Sequence, residues 1–376
     1  MPLLRDVIAA LDALYDPRWA DDWDAVGTVV GDPGATVHKV LFAVDPVQAV
    51  IDEAVAWGAD LVVTHHPLYL KGVTTVAATT PKGKVVQTLI NNGMALHTCH
   101  TNADSPPGGV SEAMALTLGV QDVRPLDPDP EAARDKWTVF VPESHATRVT
   151  DALKDAGAGA TEDYDRASFA TRGVLTFRPL EGSTPHVGSV GDVEIVEQVR
   201  IELVASRYLR ATLHDVLRAT HPYDEPAFDV AALASLDSKR GSGRIGTLAA
   251  PMTLLAFAQS VAHALPSHRS ATRVAGDPDR LVRTVAVCGG SGDFLLAHAH
   301  RLGADVYVTS DLRHHPVSEA QELPGAPAVI DVPHWAAEST WLSVGASALV
   351  AALESQGATV ETKVSQVVTD PWTFHI

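Results

Sequence analysis

The same order of predicted elements occurs twice in this chain, once near each end. An apolar run from Lys39 (KVLFAVD), a stretch with helical spacing and a second apolar run predict strand, helix and strand, and this order returns from Arg283 (RTVAVCGGSG). The closing strands begin alike, with GADLVVT at Gly58 and GADVYVT at Gly303. Because β-α-β alternation is typical of a parallel sheet, we predict two related α/β lobes. Gly-Ala-Asp is also a common way to end a helix and enter a strand, so the echo alone leaves chance similarity open.

The segment between the two lobes differs in composition. Residues Pro125–Trp137 are rich in proline and charge, and Asp237–Gly246 is polar and glycine-rich, as domain boundaries often are. Between them the pattern predicts the order β-α-β-β-α-β, which is that of a ferredoxin-like fold. A chain of 376 residues also exceeds what one hydrophobic core usually holds. We therefore expect a first α/β lobe over residues 1–128, an inserted α+β domain over 129–240, and a second lobe over 241–376 that completes the core.

Charge and apolar content exclude several classes of partner. The formal net charge of −18 would repel nucleic acid and anionic membranes unless a local cation intervened. No apolar run approaches the roughly 20 residues of a membrane span. Asp6 and Asp12 interrupt the apolar N-terminal segment, which predicts a helix rather than a signal peptide. The only cysteines, Cys99 and Cys288, fit a reducing compartment. We expect a cytoplasmic protein that binds neither membrane nor nucleic acid.

Two adjacent histidines follow the second predicted strand of the first lobe. His65 and His66 come directly after LVVT, at the strand end where open α/β sheets bind their ligands. Pro67 indicates that the strand has stopped, so both side chains can face one site. Consecutive Cα atoms lie about 3.8 Å apart, close to the roughly 3.5–4 Å between the ions of a two-metal centre. The pair therefore fits one histidine per ion, although two ordinary loop histidines remain an equal alternative for this motif alone.

Two further groups of histidines and carboxylates follow predicted strands. His97, His100 and Asp104 lie in a loop that follows an apolar run, and His334 and Glu338 lie four residues apart on one face of a predicted helix. Taken singly, a His/Glu pair at this spacing is more often a surface contact. Three such groups, each at a strand end, predict a metal site. A nitrogen and oxygen donor set without thiolate fits zinc, iron or manganese equally well.

These residues resemble those of the Nif-three-like dinuclear-metal family, whose members are often labelled GTP cyclohydrolase 1 type 2 homologues. The motifs that carry the resemblance are WDAVGTVVG, THHP, HTNAD, GSGRIG, CGGSG, VTSDLRHH and IDVPHWAAE. The resemblance covers essentially the whole chain, and the insert looks like the extra domain of the longer bacterial members, which is related to CutA and PII-type trimers. It implies two divalent ions per chain and a homohexamer built as a ring of paired subunits. The ligands that it implies are His65, His66, Asp104, His334 and Glu338.

The resemblance also implies other site residues, with two departures. It makes His100 a catalytic residue that is not a ligand, and it leaves His97, Asp311 and His315 as further candidates. The family usually has Thr-Gly-Asp where this chain has Thr-Ser-Asp ending at Asp311, and Gly where this chain has Pro333. Neither change removes a ligand. The RHHP segment that contains His315 can also be simply a polar loop.

Two classes of function remain open on the sequence. The first is a metal-dependent hydrolase that acts on a nucleotide or phosphoester, with the GTP cyclohydrolase-type activity that the family label implies. The second is a metal-dependent binding or regulatory ring without catalysis. Five protein ligands for two ions leave positions for water, which a catalytic site needs, and this favours the hydrolase.

Overall fold

The two predicted lobes form two separate sheets in a computed structural model of the chain, which describes residues 1–161, 163–183, 186–266 and 269–375. The chain divides into two compact units, Met1–Asp129 with Lys239–Ile376, and Pro130–Ser238. The first unit holds both α/β sheets and is called the core unit below. The second unit is called the insert.

The first lobe alternates short strands with helices. Its elements are α1 (Leu4–Leu14), a 3₁₀ turn (Pro17–Trp19), β1 (Gly27–Val30), β2 (Lys39–Ala43), α2 (Gln48–Trp57), β3 (Leu61–Thr64), α3 (Pro81–Asn91), β4 (Ala95–Thr98), α4 (Thr101–Asp104), α5 (Val110–Thr117) and β5 (Gln121–Pro130). The strands β3 and β4 are buried at every position, as expected for strands covered on both faces.

The insert has the predicted order β-α-β-β-α-β. Its elements are β6 (Arg134–Val141), α6 (Glu143–Asp155), β7 (Phe169–Phe177), β8 (Glu194–Ser206), a 3₁₀ turn (Arg207–Leu209), α7 (Arg210–Thr220) and β9 (Phe228–Ala232). The strand order is β7-β8-β6-β9 with antiparallel pairing, as in ferredoxin-like folds. Its own hydrophobic core is centred on Trp137. The likeness of this domain to CutA and PII proteins stays a prediction.

The second lobe repeats the alternation of the first. Its elements are β10 (Asp237–Thr253), α8 (Leu254–Ala264), β11 (Arg273–Ala275), β12 (Leu281–Ser291), a 3₁₀ turn (Asp293–Leu295), α9 (Leu296–Arg301), β13 (Val306–Ser310), α10 (His314–Gln321), β14 (Ala328–Asp331), α11 (His334–Ser355) and β15 (Glu361–Val364).

Each sheet of the core unit contains three neighbouring parallel strands. The first sheet has the order β1-β4-β3-β2-β15, with β2, β3 and β4 parallel, and the second has the order β11-β14-β13-β12-β10-β5, with β12, β13 and β14 parallel. The predicted α/β class, with two related lobes and an α+β insert, is therefore confirmed. Gly58 and Gly303, at φ of 75° and 69°, end the helices before β3 and β13 in the left-handed region, which explains the repeated Gly-Ala-Asp.

Helix α11 joins the two sheets of the core unit. Ala336 and Ala337 belong to the hydrophobic cluster of the second sheet, whereas Trp341, Ala346 and Leu349 belong to that of the first. Among the described residues, it is the one helix that is long and apolar enough to cross a membrane by length and composition alone. Half of its most apolar 18-residue stretch is buried inside the protein. Its apolar residues are thus those of a helix shared by two cores.

Arg244 in β10 fixes the turn that follows Asp104. Its guanidinium is buried and also pairs with Glu112 at 3.1 Å. The carbonyl oxygens that accept from it are those of Ser105 (2.9 Å), Pro106 (2.7 Å), Gly241 (2.8 Å) and Gly243 (2.8 Å). A chain segment beside the first sheet is in this way held by a strand of the second.

Replacement of this guanidinium should destabilise the core unit. Arg244→Met leaves buried carbonyl oxygens and the Glu112 carboxylate without their donor, so we expect the free energy of unfolding to fall by about 3 kcal/mol. Urea denaturation followed by tryptophan fluorescence measures this change. Arg283→Met, at an exposed position on the same sheet, serves as the control and should change stability by about 0.5 kcal/mol or less. Equal midpoints for the two variants would contradict the role given to Arg244.

Candidate metal centre

The candidate site lies where strands of both sheets of the core unit end. His65 and His66 directly follow β3, and His100 is the residue before α4, two positions after β4. His334 is the first residue of α11, three positions after β14, and Glu338 follows it by one helical turn. Because parallel strands present their carboxyl ends at one edge of a sheet, these local placements bring the side chains to a common point.

Glu338 is the centre of a group of side chains that is called the cluster below. Its other members are His65, His66, His100, Asp104 and His334. Its side chain is 4% exposed, and Oε1 lies 2.7 Å from His334 Nε2 and 3.4 Å from His65 Nε2. Oε2 lies 3.0 Å from His66 Nε2, and the Nε2 atoms of His66 and His334 are 3.3 Å apart. Asp104 Oδ1 lies 3.7 Å from His65 Nε2. The structure thus brings together the five side chains that the family resemblance implies as ligands.

The outer ring nitrogen of each histidine in the cluster is held by an oxygen. His65 Nδ1 donates to Cys99 O (3.0 Å), and His66 Nδ1 donates to Asp45 Oδ1 (2.7 Å). In the same way, His100 Nδ1 donates to Asp24 Oδ1 (2.7 Å) and His334 Nδ1 donates to Asp311 Oδ2 (2.6 Å). An imidazole whose Nδ1 carries the proton presents Nε2 as a lone-pair donor. Partners of this kind orient the ring and raise its basicity, as around metal-bound histidines in general.

The electrostatics of the cluster favour positive charge. Burial alone would raise the pKa of Glu338, but the neighbouring histidines hold that pKa well below its usual value. Burial alone would lower the pKa of His66 and His334, yet the Glu338 charge and the bonds to Asp45 and Asp311 raise these pKa values to about 10 and about 11. Such carboxylates attract cations, whether these are protons or metal ions.

The donor atoms form two overlapping groups that could hold a metal ion. The first consists of His65, His66 and His100, and the second of His66, His334 and Glu338, with the donor atoms of each group within 4.8 Å of one another. Among the described residues, the buried atom Asp104 Oδ1 accepts no hydrogen bond. Buried carboxylate oxygens without donors are costly unless a cation neutralises them. The residues present therefore fit divalent ions bound through nitrogen and oxygen.

Of the remaining candidates, Asp311 is the one with a contact to this cluster. Asp311 contacts His334 Nδ1 and is thus placed to orient that ring. His97 Nδ1 lies 3.0 Å from Thr28 Oγ1, and burial lowers the pKa of His97 to about 4, so this buried histidine is neutral at pH 7. The exposed ring of His315 lies against His314, with 5.2 Å between the ring centroids.

Sequence reasoning missed Asp24 and Asp45 as site residues. Asp24 is fully buried at its side chain and also accepts from Thr101 N at 3.0 Å, and its pKa is lowered by the bonds to His100 and Thr101 even though burial opposes this. Asp24 lies in the quoted WDAVG motif. Asp45 comes two residues after β2, the parallel neighbour of β3, and a carboxylate at that strand end was the available signal.

The chain is similar over nearly its whole length to known proteins. The family model of Duf34/NIF3 (NGG1p interacting factor 3) matches residues 2–371. A Mycobacterium tuberculosis protein named GTP cyclohydrolase 1 type 2 homolog is 46% identical over 370 residues, which are 98% of this chain and 96% of that protein.

Solved structures match over the full length as well. A Bacillus cereus protein related to NIF3 is 34% identical, with a TM-score of 0.75 and coverage of 100% of this chain and 99% of that one. Staphylococcus aureus protein SA1388 is 26% identical, with a TM-score of 0.85 and the same coverage.

Removal of an orienting charge should weaken ion binding without removing a ligand. For Asp311→Asn we expect the affinity for Zn²⁺ or Mn²⁺ to fall about 10- to 100-fold, because the ring of His334 loses its carboxylate partner. Isothermal titration of the metal-free protein measures this. Asp279→Asn, on an exposed turn of the same lobe, is the matched control. Equal affinities for both variants would show that Asp311 has no orienting role.

Proposed function

Because this chain belongs to the Duf34/NIF3 family, as its motifs predicted, we propose that it is a dinuclear divalent-metal protein that hydrolyses a nucleotide or another phosphoester. The observation that carries the proposal is the pair of donor groups that share His66, next to which the buried Asp104 Oδ1 has no hydrogen-bond donor. The relatives' name supports a nucleotide-like substrate.

The proposed ligands of the two ions are His65, His66, Asp104, His334 and Glu338. Two bound ions would lower the pKa of a water molecule towards neutrality and polarise the bond under attack. The protein's own contribution is to fix these side chains before substrate arrives. Glu338 and His65 are almost fully buried, at 4% and 1% exposure, so their positions depend on core packing rather than on solvent.

His100 is the proposed proton carrier. Its Nδ1 is fixed by Asp24, so Nε2 is the atom that can accept a proton. The ring lies close to both His65 and His66, with centroid distances of 5.1 and 5.5 Å. A positioned histidine of this kind typically contributes 10²–10⁴-fold to a rate. Its place within a donor group also makes it a candidate ligand, and the experiment on His100 below separates the two roles.

A second candidate function is a metal-dependent ring without catalysis, supported by the surface of the insert. Its edge strand β7 and the start of β8 carry exposed apolar side chains, including Val174 and Ile195, which lie on the same face. Exposed apolar edge strands favour pairing with another chain. We propose self-association, as the hexamer that the resemblance implies, for either function.

The two buried cysteine thiols fit the proposed cytoplasmic location.

Metal content tests the proposed centre directly. Protein purified without chelator should carry about two divalent ions per chain by elemental analysis, and Glu338→Ala should lower that number because both donor groups border this carboxylate. Glu354→Ala, at an exposed position of the same helix, should leave the count unchanged. Wild-type protein that contains no metal and takes up none on titration would falsify the metal proposal.

The role of His100 distinguishes the enzyme from the ring. His100→Ala should keep both ions and the fold but lose about 10²- to 10⁴-fold of the hydrolysis of GTP or p-nitrophenyl phosphate. Metal-free protein is the blank, and His263→Ala, at an exposed position of α8, is the control. Loss of one ion in His100→Ala would make His100 a ligand instead. A fully metal-loaded wild type without turnover above the blank would favour the ring.

A further inference from the structure

A large cavity opens beside the candidate metal centre within the core unit. Its volume is about 910 Å³, and His66, Asp311 and His334 line it at the end next to the cluster. Pockets of about 300–1,000 Å³ typically hold small organic ligands. The cavity is thus far larger than two ions and their water would need.

The C-terminal segment, residues 365–375, forms one wall of this cavity. It follows β15, and Ser365 continues the pairing with β2 through a bond from its N to Phe42 O at 2.8 Å. The hydroxyl of Thr369 donates to Asp45, the carboxylate that orients His66. Ser270 Oγ donates to Asp370 Oδ2 at 2.5 Å. The segment is therefore fixed to both lobes and directly connected to the metal centre.

Two aromatic side chains of this segment line the cavity and face solvent. Trp372 is 70% exposed and Phe374 is 77% exposed, and Trp335 at the start of α11 lines the same cavity. Large aromatic rings on a fixed segment present flat apolar faces, on which planar ring systems stack.

The charges of the cavity limit what such a ring can carry. Asp45, Asp311, Asp331 and Asp370 line it, and Arg273, the one lysine or arginine among its described lining residues, is paired with Asp331. A phosphate away from the metal ions would meet mainly carboxylates, which repel it. An uncharged ring with N–H groups would instead donate hydrogen bonds to them.

We infer that Trp372 and Phe374 form a binding subsite for an uncharged, planar nitrogen heterocycle of the nucleobase type. The subsite holds the substrate's ring in the outer cavity, and the carboxylates, Asp370 among them, accept from its N–H groups. The binding of the ring is independent of the proposed function. Only the further statement, that the ring belongs to a substrate whose reacting group faces the ions, rests on the proposed function.

Binding of guanosine and adenosine to metal-loaded protein tests the subsite without any turnover. Isothermal titration should detect both nucleosides, whereas ribose, which lacks the base, should bind more weakly. Trp372→Ala and Phe374→Ala should each weaken nucleoside binding about tenfold or more, and Trp372→Phe should restore most of it. Both alanine variants should keep the wild-type metal content and melting temperature. The control is Phe294→Ala, an exposed aromatic of the same unit outside the cavity.

The outcomes separate this inference from the proposed function. Nucleoside binding that is lost in Trp372→Ala supports the subsite even if the wild type hydrolyses nothing. A wild type that hydrolyses p-nitrophenyl phosphate but binds no nucleoside overturns the subsite and leaves the hydrolase. Unchanged nucleoside binding in both alanine variants also overturns it. If those variants instead have a smaller mass by light scattering, the two rings are subunit contacts and the inference is wrong.

Discussion

The core unit depends on one buried carboxylate that is surrounded by imidazoles. Removing Glu338 from water costs several kcal/mol unless opposite charge and hydrogen bonds compensate for it. The compensation comes from His65 and His66 of the first lobe and from His334 of its own helix. Helix α11 also supplies apolar side chains to the hydrophobic clusters of both sheets. The group of imidazoles around Glu338 can therefore form only when both sheets are packed against this helix. The geometry of the site therefore depends on the packing of both sheets against α11.

The two lobes contribute differently, although their strands repeat. In the first lobe His65 and His66 follow a parallel strand directly, whereas in the second lobe the one imidazole, His334, lies on a helix. The loop after β13 contributes Asp311, which supports that ring. That support requires Asp311 at a φ of 58°, a left-handed conformation that Asp adopts more readily than most residues. From there its carboxylate reaches His334 Nδ1 at 2.6 Å. The Ser310-Asp311 sequence, where the family usually has Gly-Asp, thus still gives the geometry that holds the ring.

Local spacing explains which parts of the molecule could be predicted from sequence. The β-α-β order and the pairs His65/His66 and His334/Glu338 are patterns within a few residues, and the strand ends that place them follow from the rules of parallel sheets. The contacts of Asp24 with His100 and of Asp45 with Thr369 join residues 76 and 324 positions apart, and no periodicity records them. The C-terminal wall of the cavity was not predicted for the same reason. Trp372 and Phe374 are far from His66 in the sequence, and only the fold brings them to the same cavity.

Exposure across the cluster indicates from which side a ligand approaches. His65 and Glu338 are almost fully buried, whereas the side chains of His66, Asp104 and His334 are 25%, 32% and 30% exposed. His66 and His334 face the cavity that the C-terminal segment borders. A purely structural metal site encloses its ion with protein ligands, while a site that binds or transforms a substrate keeps one side accessible. Of these five donors, two are buried and three are partly exposed, and two of those three face the cavity. This asymmetry is a physical reason to prefer a substrate-binding centre over a closed structural one.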